Sequence, residues 1–464
     1  MKLCVIGGAG ARSAFLTKSL VKSARDIRVD QIVLLDSSEE HLRTYGQISK
    51  ELARRMDPEL TFEITSDARA ALTGADYIIT TIRAGGDAGR LFDEKTCLAH
   101  SVLGQETTGA GGFAMAIRSV PTLVYYCTLA REVANPGHLI FNFTNPSGII
   151  TQALRSCGFS NVYGICDAPS GFIKQLEEIL NTPYGTLDIE CYGLNHLSWF
   201  RNARLNGRDV QKELLDNPRT YQHSEMRLFT REMARLSGDC MLNEYLYFYY
   251  RREKSLSMIR KAEHPRGEMI YLINRELEEQ LAQLRLPEDF EKAFDLYMTA
   301  YGKRENAYFS VESGACREKV WNPPTVEEFL AEPDEGGYAA VALRFIRAIT
   351  DGENCRMVLS VPNEGAIDGL ADDDVVEITC DIRADGAHPI RIGTIDEFQL
   401  QQIKRLKYFE RCTIQAILHN DRDAAVKGLA LHPLVNDVEL AETLADIFFR
   451  EYAAFIHMNE ASGQ

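Results

Sequence analysis

Apolar residues come in short, uninterrupted blocks through the first third of the chain. Lys2–Ile6 carries Leu-Cys-Val-Ile, and Gln31–Leu35 carries Ile-Val-Leu-Leu. Blocks this short, apolar toward both faces, are the pattern of strands buried in a parallel sheet. Further blocks stand in TFEITSD (61–67), ADYIITTIRAGG (75–86), HLIFNFTNP (138–146) and NVYGICDAP (161–169). Between them, AFLTKSLVKSA (14–24) and HLRTYGQISKELARRM (41–56) place apolar residues three and four apart, which predicts helices, and a short helix is expected near Ala68–Leu72. Strands alternating with helices over residues 1–165 predict an α/β domain with a doubly wound parallel sheet.

After Ile165 the pattern changes. Residues 186–210 read as antiparallel strands with Asn206-Gly207 as a hairpin turn, and 372–393 read as a second hairpin. Helices are expected at 226–235, 243–254, 268–284, 398–418, 424–431 and 438–456. Neither an internal repeat nor a low-complexity linker interrupts this half. Residues 166–464 are therefore expected to form an α+β domain packed onto the first.

Bulk properties narrow the field. A chain of 464 residues is long for one core. A formal charge of −16 argues against nucleic acid and anionic membrane as partners, since both require a basic face. A phosphorylated small molecule is still admissible, provided a few cations are gathered locally. Eleven cysteines are scattered without a CxxC, and MKLCVIGG has no basic segment before an apolar one, so a reduced, cytoplasmic protein is expected. No apolar run is expected to be long enough to span a bilayer.

The chemistry begins after the first strand. A strand, then Gly7, Gly8, Gly10, Ala11 and Arg12, then a helix, places backbone N–H groups where a pyrophosphate can sit. Asp36 ends the second strand, where a carboxylate accepts from a ribose 2′-hydroxyl, which favours NAD over NADP. The domain is thus expected to be of Rossmann type. Asn145, in NFTNPSGII, closes an apolar strand at the end where open α/β sheets hold ligands.

Cys166 and His196 both follow strands, and a thiolate with an imidazole can hold a divalent metal that leaves positions open to substrate. Their spacing alone is better served by a buried cysteine and a histidine satisfied by a carbonyl. Tyr245 and Tyr249 are expected to share one helix face, as core aromatics or as a phenol whose pKa a neighbouring cation lowers for proton abstraction. Arg83 and Arg90 in IRAGGDAGR, Glu106 in GQETTGAGG and Arg266 in EHPRGE are further candidates beside flexible glycines.

Taken in order, IGGAGARS, GQETTGAGGF, NFTNPSGIIT, GICDAP and GLNHLSW resemble glycoside hydrolase family 4 over nearly the whole chain, most closely its 6-phospho-β-glucosidases. The resemblance implies a glycosidase dependent on NAD and a divalent metal, probed first as Mn²⁺. It implies hydride removal from sugar C3, proton abstraction at C2, elimination of the C1 oxygen and return of the hydride. Carried over, it makes Cys166 and His196 metal ligands and Tyr245 the base, with Tyr249 as substitute. It makes Asn145 the contact to the C2 and C3 hydroxyls, and Gly7, Gly8, Gly10, Ala11, Arg12, Asp36 and Arg83 the cofactor contacts. Arg90, Glu106, Asn195 and Arg266 become substrate contacts, Arg266 for a 6-phosphate. The implied partner is a phosphorylated disaccharide or glycoside, and the implied assembly a homodimer or homotetramer.

Asp167 follows the metal cysteine, where the β-glucosidases usually carry Asn and the 6-phospho-α-glucosidases carry Asp as a proposed general acid. A 6-phospho-α-glucosidase or another family 4 glycosidase acting on α-glucosides, galactosides or galacturonides is therefore an alternative. An NAD-dependent 2-hydroxy-acid dehydrogenase, with its lactate/malate dehydrogenase-like architecture, is another.

Overall fold

A computed structural model describes residues 1–314, 320–334 and 339–461. The last three residues of the expected second domain lie outside the described residues.

The main sheet has nine strands in the order β13-β12-β11-β6-β5-β4-β1-β2-β3. Strands β1 (Lys2–Ile6), β2 (Gln31–Leu35), β3 (Thr61–Thr65), β4 (Tyr77–Thr80), β5 (Leu139–Asn142) and β6 (Val162–Gly164) form its parallel part. Their order, 3-2-1-4-5-6, is the doubly wound dinucleotide-binding order, and the strand order reverses between β1 and β4. The expected Rossmann-type sheet is present. β1 matches its apolar block and β2 stops one residue before Asp36, while β3 to β6 are shorter than theirs, because the flanking residues leave the ladder to form loops.

Both faces of this sheet are buried, which is why the blocks are continuous. Leu3, Val5, Ile32, Leu34 and Ile79 pack into one core, while Cys4, Ile6, Val33, Leu35 and Ile78 pack into another. Helix Gly109–Val133 runs through the second core. By length and composition it could cross a membrane, contrary to the expectation above, but 78% of its most apolar window is buried inside the protein. It is a core helix.

The sheet does not stop at residue 165. Strands β11 (Cys355–Pro362), β12 (Val375–Arg383) and β13 (Gly386–Pro389) extend it, β11 joining β6 antiparallel through Ser360 and Gly164. Residues 372–393 do form a hairpin, but one built into the first domain's sheet. The remaining strands, β7 (Leu187–Leu194), β8 (Leu197–Leu205), β9 (Arg208–Asp209) and β10 (Met241–Leu242), make a separate antiparallel sheet. Asn206 and Gly207, both at positive φ, make the turn between β8 and β9.

Three expected helices are interrupted, each for a local reason. Over 226–235 the chain forms a 3₁₀ turn, Glu225–Leu228, and then a short helix, Arg231–Leu236, because the Thr230 hydroxyl accepts from Met233 N and starts the helix anew. Over 243–254 it forms Leu246–Tyr250 and Arg252–Lys261, separated at Arg251, whose φ of −128° and ψ of 33° lie outside the helical region. The last helix divides at Tyr452, whose hydroxyl is drawn to the buried Asp93. Helix Arg266–Leu281 forms near the expected place, and Glu94 supplies a cap from a distant segment by accepting from Gly267 N at 2.7 Å and Glu268 N at 3.2 Å.

The β7–β8 hairpin turns on Asn195 and His196, with His196 at φ +64°. Gly193 makes this possible. Its φ is +134°, and a Cβ there would stand 2.3 Å from Leu197 O. Gly193→Ala should destabilise the protein by about 2 kcal/mol or more and displace His196. Thermal unfolding and metal titration of the variant check this; an unchanged melting temperature would show that the hairpin tolerates a side chain.

Candidate active site

A cavity of about 1380 Å³ opens at the carboxyl ends of β1 and β4, where the strand order reverses. It exceeds the roughly 300–1,000 Å³ of a single small-ligand site and has room for a dinucleotide and a sugar together. Gly7, Gly8, Gly10, Ala11, Arg12, Asp36, Arg83, Arg90, Glu106, Asn145, Cys166, Asp167, His196, Tyr245 and Arg266 all line it. Of the expected site residues, only Asn195 and Tyr249 do not.

The glycine loop fits a dinucleotide. Gly7 has φ +81°, and a Cβ on it would lie 2.8 Å from Ile82 Cα, so only glycine lets β1 and the loop after β4 meet at the cavity floor. Gly10 faces open space, and Ala11 is tied down through its carbonyl, which accepts from Tyr297 Oη at 2.9 Å. Asp36 accepts from Ser38 N at 3.0 Å and Ala9 N at 3.3 Å, which aims its carboxylate along the rim of the loop.

Cys166 and His196 meet. Cys166 follows β6 and precedes helix Asp167–Ile179; its Sγ lies 3.7 Å from His196 Nε2. The hydrogen bonds settle which nitrogen of His196 is free. The Thr107 hydroxyl gives its proton to Gln105 Oε1 at 2.6 Å, so Thr107 Oγ1 accepts from His196 Nδ1 at 2.9 Å. Nε2 is then left with its lone pair directed at the sulfur, the tautomer a metal requires. Burial also pushes His196 down to about 3, so the ring is neutral. Among the described residues no group of three or more His, Cys, Asp or Glu side chains gathers as a metal cage. The pair suits a metal whose remaining positions are taken by water or substrate oxygens.

Tyr245 lies flat on His196, with ring centroids 3.6 Å apart and planes at 6°. It precedes helix Leu246–Tyr250, because Asn243 Oδ1 captures Tyr245 N at 3.0 Å and turns the chain there. Tyr245 caps this helix and Tyr249 lies one turn on, but the two side chains make different contacts. The Tyr249 hydroxyl bonds to Thr108, and its ring lies 6.1 Å from that of the buried His432, away from the cavity. Tyr249 is withdrawn as a substitute base. Burial, then Glu244, push the Tyr245 phenol up, the reverse of the expected lowering. A cation held by Cys166 and His196 would act on this phenol in the opposite sense.

Asn195 is also corrected. Its amide donates to Glu377 Oε1 at 2.9 Å, while Ser198 Oγ donates to Glu377 Oε2 at 2.8 Å. Glu377, on β12, is 1% exposed, and burial pushes its carboxyl up to about 7. Asn195 does not line the cavity; its side chain links Glu377 to the Cys166 thiol and so braces the hairpin that carries His196.

The cavity gathers several arginines of an otherwise acidic chain. Glu106 bridges Arg83 and Arg90, the latter at 3.3 Å; burial opposes its charge, but the two guanidinium groups prevail and hold it at about 2. Arg266 donates to Arg304 O at 3.0 Å, and Arg304 donates to Asn274 Oδ1 at 3.1 Å. Neither is ion-paired among the described residues. Burial, then Arg90, bring Arg266 down to about 10, which marks a cation short of counter-charge. Sequence reasoning missed Arg304, Thr107, Gln105 and Glu377. The polar QETT between glycines was a signal for Thr107, whereas Arg304 sits in a helix that reads as charged surface.

Fold and site together define a dinucleotide-binding α/β enzyme with a Cys–His pair of a kind that suits a metal beside a phenol. Residues 2–182 match the family described as family 4 glycosyl hydrolase, and residues 191–435 match the family 4 glycosyl hydrolase C-terminal domain. The chain belongs to glycosyl hydrolase family 4, as its motifs led us to expect. The 6-phospho-β-glucosidase of Thermotoga maritima is 30% identical over 451 residues, which cover 96% of this chain and 97% of the relative. A structure of the Thermotoga maritima 6-phospho-β-glucosidase with manganese, NAD⁺ and glucose 6-phosphate matches with a TM-score of 0.78 at 28% identity, covering 98% of this chain and 99% of the other. A phospho-α-glucosidase of Clostridium acetobutylicum is 26% identical over 462 residues, 95% of each chain.

Thr107→Val keeps the side-chain volume and removes the acceptor for His196 Nδ1. Metal affinity should fall about 10–100-fold with little change in melting temperature. Calorimetric titration with Mn²⁺ checks this; unchanged affinity would mean that Thr107 does not set the tautomer.

Proposed function

We propose that this chain hydrolyses 6-phospho-β-glucosides with NAD and Mn²⁺ as cofactors. The observation that carries the reading is the 3.7 Å approach of Cys166 Sγ to His196 Nε2 in the wall of the cavity that also holds the glycine loop and Tyr245. Bound there, NAD supplies reversible hydride transfer at sugar C3 and the metal polarises the oxygens at C2 and C3.

The protein's own groups do the rest. Asn145 orients the sugar hydroxyls near the end of the glycine loop. Tyr245 Oη takes the proton from C2. Tyr308, whose Oη lies 3.4 Å from Tyr245 Oη and donates to Glu244 at 2.6 Å, holds the phenol in place. Arg266 and Arg304, neither of them in an ion pair among the described residues, offer a 6-phosphate two cations, and charge-assisted contacts of this kind are strong. The similarity to the Thermotoga maritima 6-phospho-β-glucosidase supports the β-anomer and the phosphate. Sugar phosphates are too polar to leave a cell by diffusion, which supports the cytoplasm as the place of action.

One observation favours a second reading. Asp167 opens helix Asp167–Ile179 directly after Cys166, lines the cavity and stands 3.9 Å from Arg12. A carboxyl there is placed to serve as general acid toward an α-linked leaving group. A panel of p-nitrophenyl α- and β-glycosides, with and without a 6-phosphate, assayed with NAD and Mn²⁺, separates the two. Selective cleavage of the phosphorylated β-glucoside is expected; cleavage of the α-glycoside alone would overturn the choice.

Tyr245→Phe should lower turnover by about 10²-fold or more while NAD binding persists, and hydrolysis in D₂O should place deuterium at C2 of the product. Product mass and NMR check the second point, and unlabelled C2 would argue for direct displacement. Arg304→Ala should raise KM for the phosphorylated substrate at least about tenfold, because a charged phosphate contact is lost. Steady-state kinetics check this; an unchanged KM would remove Arg304 from the phosphate site.

A further inference from the structure

Helix Arg266–Leu281 spans the cavity. Arg266, Ile270, Asn274 and Glu278, spaced four apart, all line it from one side of the helix. Arg266 sits at the sugar end. Twelve residues on, about 18 Å at 1.5 Å per residue, Glu278 reaches the end where Asp36 leaves β2. There Glu278 Oε1 lies 3.4 Å from His41 Nε2 and 3.5 Å from Tyr45 Oη, and Asp36, Ser38, His41, Tyr45 and Glu278 line the same stretch of wall. His41 and Tyr45 belong to the nucleotide-binding half and Glu278 to the helix from the other half, so the contact closes over the adenosine end.

We propose that Glu278 is a second determinant of dinucleotide specificity, acting with Asp36 against a ribose 2′-phosphate. The inference rests on the reading that NAD occupies the cavity. Two effects combine. Glu278 adds a second carboxylate to the rim that a 2′-phosphate must approach. It also neutralises the cation best placed to welcome one, since its hydrogen bond to His41, together with Asp36, raises the imidazole's basicity. The other cation on this stretch, Arg275, is drawn away by Glu279 at 3.0 Å. A 2′-phosphate would thus meet two carboxylates, with His41 and Arg275 each already paired, whereas a 2′-hydroxyl meets a ready acceptor in Asp36.

The test is the binding of NAD⁺ and NADP⁺, measured by calorimetry on the full chain with no sugar present. The wild type should favour NAD⁺. Glu278→Gln removes one of the two carboxylate charges and keeps the shape; NADP⁺ should bind about tenfold more tightly, with NAD⁺ changed by less than about twofold. The gain should shrink at 1 M salt, where the screening length is about 3 Å, a dependence that lost packing would not show. His41→Gln leaves the carboxylate and removes its counter-charge, so NADP⁺ should bind at least about threefold more weakly. This second variant decides the matter if the first does not fold. An NADP⁺/NAD⁺ ratio unchanged in the folded variants overturns the proposal and leaves Glu278 a structural clasp. Failure of the wild type to bind either dinucleotide overturns the NAD reading itself.

Discussion

His196 is held with one nitrogen committed and the other free, and most of the site depends on that constraint. The commitment runs through Thr107 to Gln105, from a segment 89 residues away in the chain. The free nitrogen faces Cys166, and the ring's flat side carries Tyr245. The Cys166 contact, the tautomer and the placement of the Tyr245 ring are thus consequences of one buried imidazole. That imidazole stands at a tight hairpin, so the backbone of β7 and β8 sets its position to within the tolerance of a ladder, which a flexible loop could not do. Asn195, Ser198 and Glu377 fasten the same hairpin to the main sheet from behind.

Charge is distributed with the same economy. The chain is strongly acidic, yet Arg12, Arg83, Arg90, Arg266 and Arg304 converge on one cavity. Carboxylates answer some of them: Glu106 holds Arg83 and Arg90 and so prevents the cluster from repelling itself apart. Arg266 and Arg304 are left with a backbone carbonyl and an amide oxygen. Burying a cation with neutral partners costs stability unless an anion completes it, so this end of the cavity is arranged for a ligand and not for the fold. Helix Arg266–Leu281 links it to the adenosine end, where the balance is reversed and each local cation is already matched by a carboxylate. One cavity therefore presents opposite electrostatic faces to the two ends of what it holds.

Much of this was legible along the chain. Continuous apolar blocks announce strands buried on both faces, and β1, β2 and the glycine loop between them need only near neighbours to form. Asp36, Asn145 and Cys166 stand at strand ends, so their place at the cavity mouth follows from the doubly wound order alone. The family motifs brought His196 and Tyr245 into the same site before any distance was known.

Tertiary structure alone decided the rest, because it depends on contacts between distant segments. No local signal says that β11 to β13 continue the first domain's sheet; Ser360 meeting Gly164 does that. Periodicity predicts helices at 226–235 and 243–254, but hydroxyl and amide side chains capture backbone N–H groups and restart them, and Tyr245 is turned onto His196 as a result. Asn195 and Tyr249, chosen from motif position, face Glu377 and Thr108 because the hairpin and the helix are rotated by what packs behind them. Sequence thus determined which residues are available at the carboxyl ends of the strands, since covalent order and burial on two faces are local properties. Packing determined which of them face one another, since the direction of a side chain is set by neighbours that lie 89 to 182 residues away in the chain.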